Sequence, residues 1–196
     1  MPSRGSVAEF QSFLRHEGLV FACAESCTGG LLASEMTVPA GSSEVFWGGV
    51  VSYANEAKVR LLGVSPGLLE AHGAVSGEVA LAMVRGLLEA SRAGLSVAIT
   101  GVAGPSGGSN EKPVGTVWFA VAAVKEESAS LMAVRHRFRG NRLAVQRQAS
   151  RWARILARVW WLSEKDLDSL RSLTDNHNKP FVEASHSPFF SPFGPL

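Results

Sequence analysis

The chain is poor in the residues that would mark it as extracellular, metal-bound or membrane-embedded. Only two cysteines, Cys23 and Cys27, occur in its 196 residues, too few for a disulfide framework. A structural zinc site needs about four ligands at recognisable spacing, and the sequence supplies no such set. Reduced thiols and a cytoplasmic location are the expectation. No run of about 18 apolar residues is available to span a bilayer, and the start Met1-Pro2-Ser3-Arg4 lacks the apolar core of a secretory leader. Charge is scarce too. A net charge of +2 with 18% charged residues creates no field that would argue for nucleic acid as a partner. One basic run exists: eight arginines from Arg135 to Arg158 with no acidic residue among them. It reads mainly as a solvated helix face or a subunit contact.

What is abundant is apolar material, 46% of the chain, which suits one domain with a proper core. Val7 to His16 has helical spacing, with Val7, Phe10, Phe13 and Leu14 on one face. Residues 19–24 form a continuous apolar run, the pattern of a strand buried on both faces. Thr28-Gly29-Gly30 then opens a helix through Met36. Phe46 to Tyr53 is β-rich, Asn55 is expected to cap a short helix to Leu62, and another short helix starts near Ser65-Pro66. A longer helix runs from Ser76-Gly77-Glu78 to near Gly94. Residues 95–100 repeat the buried-strand pattern, followed by a loop from Gly101 to Pro113. Residues 114–124 and 131–138 read as adjacent strands, and Asn141 to about Leu162 as a long amphipathic helix. Strands interleaved with such helices imply a layered α/β fold with a mixed, largely parallel sheet. Beyond Ser163 a short charged helix to Asp175 is expected. Residues 176–196, with four Pro and four Phe, read as low-complexity and poorly ordered.

Two Gly- and hydroxyl-rich loops, each directly after a buried strand, are where chemistry would sit. They are Glu25-Ser26-Cys27-Thr28-Gly29-Gly30 and Thr100 to Gly108. Such glycines allow close backbone approach, and a helix start behind Thr28 would favour an oxyanion or phosphate. Ser26 on a strand-to-helix turn fits either a helix cap or a nucleophile; the G-x-S-x-G elbow is absent. Cys27 is intrinsically more nucleophilic but has no evident base. Candidate bases for Ser26 are His72, His136 and Lys58, and a lysine would serve only if burial or a cationic neighbour kept it neutral. From the residues alone, a hydrolase and a phosphate-ligand protein both stay open.

Taken together, Ala24-Glu25-Ser26-Cys27-Thr28-Gly29-Gly30, Val51-Ser52-Tyr53-Ala54-Asn55-Glu56-Ala57-Lys58, His72-Gly73-Ala74-Val75-Ser76, Gly101-Val102-Ala103-Gly104-Pro105 and Lys112-Pro113-Val114-Gly115-Thr116-Val117 resemble the signature of the CinA C-terminal domain family. The resemblance runs from about Val7 to Leu162. It implies a three-layer α/β/α fold over residues 1–162 and, from stand-alone members, a nicotinamide-nucleotide amidase of pyridine-nucleotide salvage that uses no metal or other cofactor. By the same resemblance Ser26 would be the nucleophile and Lys58 its general base, with Tyr53 close to both as a proton-relay or orienting hydroxyl. Thr28, Gly29, Gly30, Asn55, Thr100 and Gly101 would line the substrate site, and Arg142 would hold the nucleotide phosphate. A small-molecule nucleotide is then the expected partner, with neither nucleic acid nor membrane. Trp152, Trp160 and Trp161, read as exposed aromatics, would suit a homo-oligomer interface, most simply a dimer. Two departures stand out: the chain has no room for the additional N-terminal domain of longer members, and residues beyond Ser163 do not follow the family. A catalytically silent nucleotide-binding module, or a hydrolase of another amide or an ester, are the competing expectations.

Overall fold

The structure is a computed structural model that describes residues 6–126, 128–162 and 187–188. The expected helix over 163–175 and, apart from 187–188, the expected low-complexity stretch 176–196 lie outside the described residues. Along the chain come α1 (Val7–Glu17), β1 (Phe21–Glu25), α2 (Leu31–Met36), a single 3-10 turn (Ser42–Glu44), β2 (Phe46–Val51) and α3 (Asn55–Leu62). Then follow α4 (Pro66–His72), α5 (Gly77–Ser91), β3 (Leu95–Gly101), β4 (Thr116–Lys125), β5 (Ser128–Arg137), α6 (Arg142–Leu162) and a two-residue strand β6 (Ser187–Pro188).

The strands form one sheet in the order β2-β1-β3-β4-β5-β6. β1 pairs in parallel with β2 and β3, while β3–β4 and β4–β5 are antiparallel. Four of the five longer strands therefore share one direction and β4 alone opposes them, which makes the sheet mixed and mostly parallel. β4 and β5 form a continuous hairpin from Thr116↔Arg137 to Lys125↔Ser128, so β5 starts three residues before its expected onset at 131.

Side-chain size separates the two faces. Phe21, Cys23, Leu95, Val97, Ile99, Phe119 and Val121 point to one side, where α1, α2 and α6 supply Phe10, Leu14, Leu32, Met36, Val145 and Leu156. The alternating positions, Ala22, Ala24, Ala98, Ala120 and Ala122, point to the other side and meet Val79, Met83, Val84 and Leu87 of α5. Small residues there let α5 sit close to the sheet, with α3 and α4 packed outside it through Leu62 and Leu69. This is the expected three-layer arrangement, its period-2 alternation hidden in the sequence because both faces are apolar.

The last helix corrects one expectation. Trp160 is 4% exposed and belongs to the core, and Trp152 and Trp161 pack against it. These rings fill the helix–sheet layer and do not form a bare subunit-contact surface. Asn55 is also not a cap. It is the first residue of α3, the capping position is Ala54, and no side-chain capping bond is made there. Among the described residues no helix is long and apolar enough to cross a membrane.

One close approach fixes α3. At Gly86, in the middle of α5, an added methyl would run into the Leu62 carbonyl at the end of α3. Glycine is needed there for proximity and not for an unusual dihedral. Gly86→Ala is expected to destabilise the fold by roughly 3 kcal/mol, the upper range for overpacking. That would lower the thermal midpoint by about 2–4 °C per kcal/mol for a chain of this size. An unchanged midpoint would mean that α3 is not held by this contact.

Candidate active site

β1, β2 and β3 end together, and their carboxyl ends carry the site. The Ser26 N–H donates to the Ile99 carbonyl (2.9 Å) and the Ser52 N–H to the Glu25 carbonyl (2.8 Å), so the chain leaving each strand stays tied to its neighbour. After Ser26 the chain turns through Gly29 (φ 63°) and Gly30 (φ 95°) into α2, left-handed conformations that favour glycine. This turn folds around a fully buried carboxylate. Glu25 Oε2 accepts from the N–H groups of Gly30 (3.1 Å) and Leu32 (3.1 Å), and Oε1 from Ala33 (2.7 Å). The start of α2 is thus already satisfied by the protein's own anion, and those N–H groups have none left for a substrate phosphate.

The expectation that Thr28, Gly29 and Gly30 line a ligand site changes accordingly. None of them lines the cleft described below; the glycines shape the turn around Glu25, and Thr28 is buried with its hydroxyl unpartnered. Asn55 is exposed on α3 and lies outside the cleft as well.

The cleft has a volume of ≈ 250 Å³ and is lined by Ser26, Cys27, Tyr53, Lys58, Ala74, Val75, Arg142, residues 100–104, Ser106 and Gly107. Lys58, on the second turn of α3, is 1% exposed. Its Nζ lies 3.0 Å from Ser26 Oγ, 2.8 Å from the Ser52 carbonyl and 3.2 Å from the Tyr53 carbonyl. No carboxylate of the described residues pairs with it. Burial therefore lowers its pKa below the usual lysine range, with the neighbouring Cys27 opposing weakly. A neutral amine has two N–H bonds and one lone pair. The two carbonyls can only accept, so with both N–H bonds directed to them the lone pair faces the Ser26 hydroxyl. That is the arrangement a base needs in order to take a proton from a nucleophile.

The other candidate groups are placed elsewhere. Burial pushes the Cys27 thiol up to about 12, so near neutral pH it is a thiol and a poor nucleophile. His72 lies outside the cleft, with its Nδ1 3.6 Å from Glu78 and its carbonyl accepting from Lys112 Nζ (2.8 Å). The His136 ring packs between Phe138 and Trp152. Thr100 is buried and its hydroxyl donates to the Ala74 carbonyl (2.7 Å), joining the β3 end to the segment before α5.

Tyr53 is arranged differently from the expectation. Its carbonyl, not its hydroxyl, reaches Lys58, and the ring is 59% exposed at the rim. Its hydroxyl accepts from Arg142 Nη2 (2.9 Å), while Arg142 Nη1 donates to the Gly104 carbonyl (2.8 Å). One turn further along α6, Gln146 Nε2 donates to the Cys27 carbonyl (2.9 Å). Neither the Glu25 cap nor the Gln146 contact was expected from the sequence. The only trace of the second is that Gln146 sits four residues after Arg142, on the same helix face.

A family model of the CinA C-terminal domain matches residues 5–158. The chain is 48% identical over 147 residues to the nicotinamide-nucleotide amidohydrolase PncC of Escherichia coli K12, covering 75% of this chain and 86% of that protein. It is 52% identical over 132 residues to a CinA-like protein of Geobacter sulfurreducens, covering 67% of this chain but 31% of that protein. The chain thus spans about a third of that longer relative. Among solved structures, a competence-damaged protein (CinA) superfamily protein from Klebsiella pneumoniae superposes with a TM-score of 0.75 at 33% identity, covering 83% of this chain and 99% of that one. A competence/damage inducible protein from Agrobacterium tumefaciens gives 0.72 at 40% identity, covering 80% and 94%.

The buried carboxylate gives a prediction about the turn. Glu25→Gln keeps the shape but sets an NH2 group against backbone N–H donors. It is expected to destabilise the protein by about 1–3 kcal/mol, the penalty of leaving buried donors unpaired, read as a lower midpoint in thermal or urea unfolding. Wild-type stability in this variant would show that α2 is held in some other way.

Proposed function

The chain belongs to the CinA C-terminal domain family, and we propose that residues 1–162 form an amidohydrolase that converts nicotinamide mononucleotide to nicotinic acid mononucleotide and ammonia, a step of pyridine-nucleotide salvage. One observation carries the reading: a buried lysine amine with no counter-ion among the described residues, 3.0 Å from a serine hydroxyl that lines the cleft. The 48% identity to a protein named for this activity supports the substrate.

In the proposed reaction Lys58 Nζ takes the Ser26 Oγ proton as Oγ bonds to the carboxamide carbon, and the carbonyl oxygen gains the negative charge. When this tetrahedral species collapses, the C–N bond breaks and Lys58 returns the proton to the departing nitrogen, releasing ammonia. A water, deprotonated by Lys58, then attacks the Ser26 ester; Oγ leaves with that proton, and the carboxylic acid formed loses its own proton to solvent as the free carboxylate. Arg142, exposed on the rim, is the proposed phosphate ligand, since its fork keeps N–H donors beyond the two that hold Gly104 and Tyr53. Tyr53 acts as an orienting residue, its carbonyl on Lys58 and its hydroxyl on Arg142. Thr100 and Gly101, at the end of the neighbouring strand β3, line the same cleft.

Incubation of the purified protein with nicotinamide mononucleotide is expected to release ammonia. Ser26→Ala and Lys58→Ala are each expected to lower kcat/KM by about 10³-fold, within the range for a nucleophile's base, while His72→Ala stays near wild type. A folded wild type that releases no ammonia would defeat the substrate assignment. A dead His72→Ala beside an active Lys58→Ala would move the base to the histidine.

The lowered lysine pKa predicts a pH profile with a definite sign. The base works as the neutral amine, so kcat/KM should rise with pH through one ionisation lying below the usual lysine range. The same shift acts on stability. Between the lowered folded value and the usual unfolded value the unfolded chain binds the extra proton, so stability should rise with pH across that window. Below the folded value the whole penalty of a buried ammonium is present. A kcat/KM that falls with pH over this range would exclude neutral Lys58 as the base.

A further inference from the structure

The turn that carries Ser26 has three successive peptide carbonyls, each held by a different group. The Ser26 carbonyl accepts from Gly29 N–H (3.1 Å) and the Thr28 carbonyl from Leu31 N–H (3.2 Å), both within the turn. The middle one, Cys27, is held from outside by Gln146 Nε2 of α6 at 2.9 Å. The partner is a carbonyl, so the Gln146 amide must present its N–H here, and its orientation is unambiguous. Cys27 follows Ser26 directly and lines the cleft.

Resting on the reading of Ser26 as nucleophile, we propose that Gln146 is a positioning residue that locks the Cys27–Thr28 peptide and keeps its carbonyl out of the reaction space. In a trans peptide the C=O and N–H point in opposite directions, so a carbonyl held toward α6 leaves the Thr28 N–H facing away from α6. The Gly29 N–H to Ser26 carbonyl bond closes the turn around this peptide, and among the described residues Gln146 Nε2 is the donor given to its carbonyl. A carbonyl swung into the cleft would set the negative end of a dipole where the amide oxygen gains charge, the reverse of what acyl transfer requires. Arg142 and Gln146, one turn apart on α6, then divide the work: Arg142 holds the Gly104 loop and Tyr53, and Gln146 holds the nucleophile turn.

The test compares three substitutions. Gln146→Leu removes the donor, and Gln146→Glu keeps the shape but offers an acceptor. Gln146→Arg keeps a donor, because arginine Nε lies as many bonds from Cα as glutamine Nε2. Two rates are measured, turnover of nicotinamide mononucleotide and labelling of Ser26 by a fluorophosphonate. In the labelling, Oγ bonds to phosphorus, fluoride leaves, and Lys58 takes the hydroxyl proton. Gln146→Leu and Gln146→Glu are expected to lower both kcat and the labelling rate by about 10- to 100-fold, the scale of a misplaced reacting group or lost oxyanion donor, with KM within about threefold by the same reasoning. Gln146→Arg should restore both rates to within about threefold, because the donor is what matters. A merely structural role predicts instead that all three variants lose thermal stability and rate together. Wild-type rates in Gln146→Leu or Gln146→Glu, equal loss in Gln146→Arg, or a change confined to KM would overturn the proposal. Should wild type be labelled at Ser26 yet release no ammonia, the substrate reading fails while the labelling rates still decide the role of Gln146.

Discussion

The amine of Lys58, withdrawn from water and given two carbonyl acceptors but no carboxylate among the described residues, is the constraint around which the site is built. A buried ammonium is strongly disfavoured when unpaired, and the structure accommodates it by making the neutral form accessible rather than by supplying a counter-ion. Both carbonyls belong to consecutive residues, Ser52 and Tyr53, where the chain leaves β2 for α3. That bend must hold its shape, and it does so because Ser52 N–H is tied to the Glu25 carbonyl on β1 and α3 is seated closely against α5 at Gly86. A change in helix packing on the α5 face would therefore be felt at the lysine, with no substitution in the cleft.

The second buried charge is handled in the opposite way. Glu25 lies one residue before Ser26, yet faces the α2 side, where three backbone N–H groups and the partial positive charge of a helix start receive it. This division keeps the carboxylate from pairing with Lys58. An acidic group hydrogen-bonded to that amine would hold it protonated and useless as a base. Gly29 and Gly30 bend the chain so that the carboxylate is taken up by α2 while the Ser26 hydroxyl meets the lysine amine.

Much of the architecture was legible from pattern. The buried runs before Ser26 and Gly101, the Pro66 and Ser76 helix starts and the amphipathic helix from residue 141 all appear close to where apolar runs, start residues and helical spacing put them. Misreadings share a cause. The expectation of exposed aromatics at Trp152, Trp160 and Trp161 fails because the helix turns those rings toward the sheet and its arginines outward or into ion pairs such as Arg154 with Glu35. Asn55 looked like a cap because of its type, yet the chain enters α3 one residue earlier. The Gly-rich turn looked like an anion cradle, which it is, but the anion is Glu25.

Local pattern was enough for the layered α/β class and for an expectation of chemistry after two buried strands; the trio Ser26, Tyr53 and Lys58 came as an expectation from the resemblance to a known family. Tertiary structure alone decided which atoms of that trio meet: the lysine amine with the serine hydroxyl, and the tyrosine through its carbonyl toward the lysine and its hydroxyl toward Arg142. It also brought Gln146 to the turn after Ser26, 119 residues away in the chain. The reason is physical. Periodicity reports which face of an element is apolar, but protonation state and hydrogen-bond direction depend on burial and on partners supplied by other elements. No local pattern encodes those.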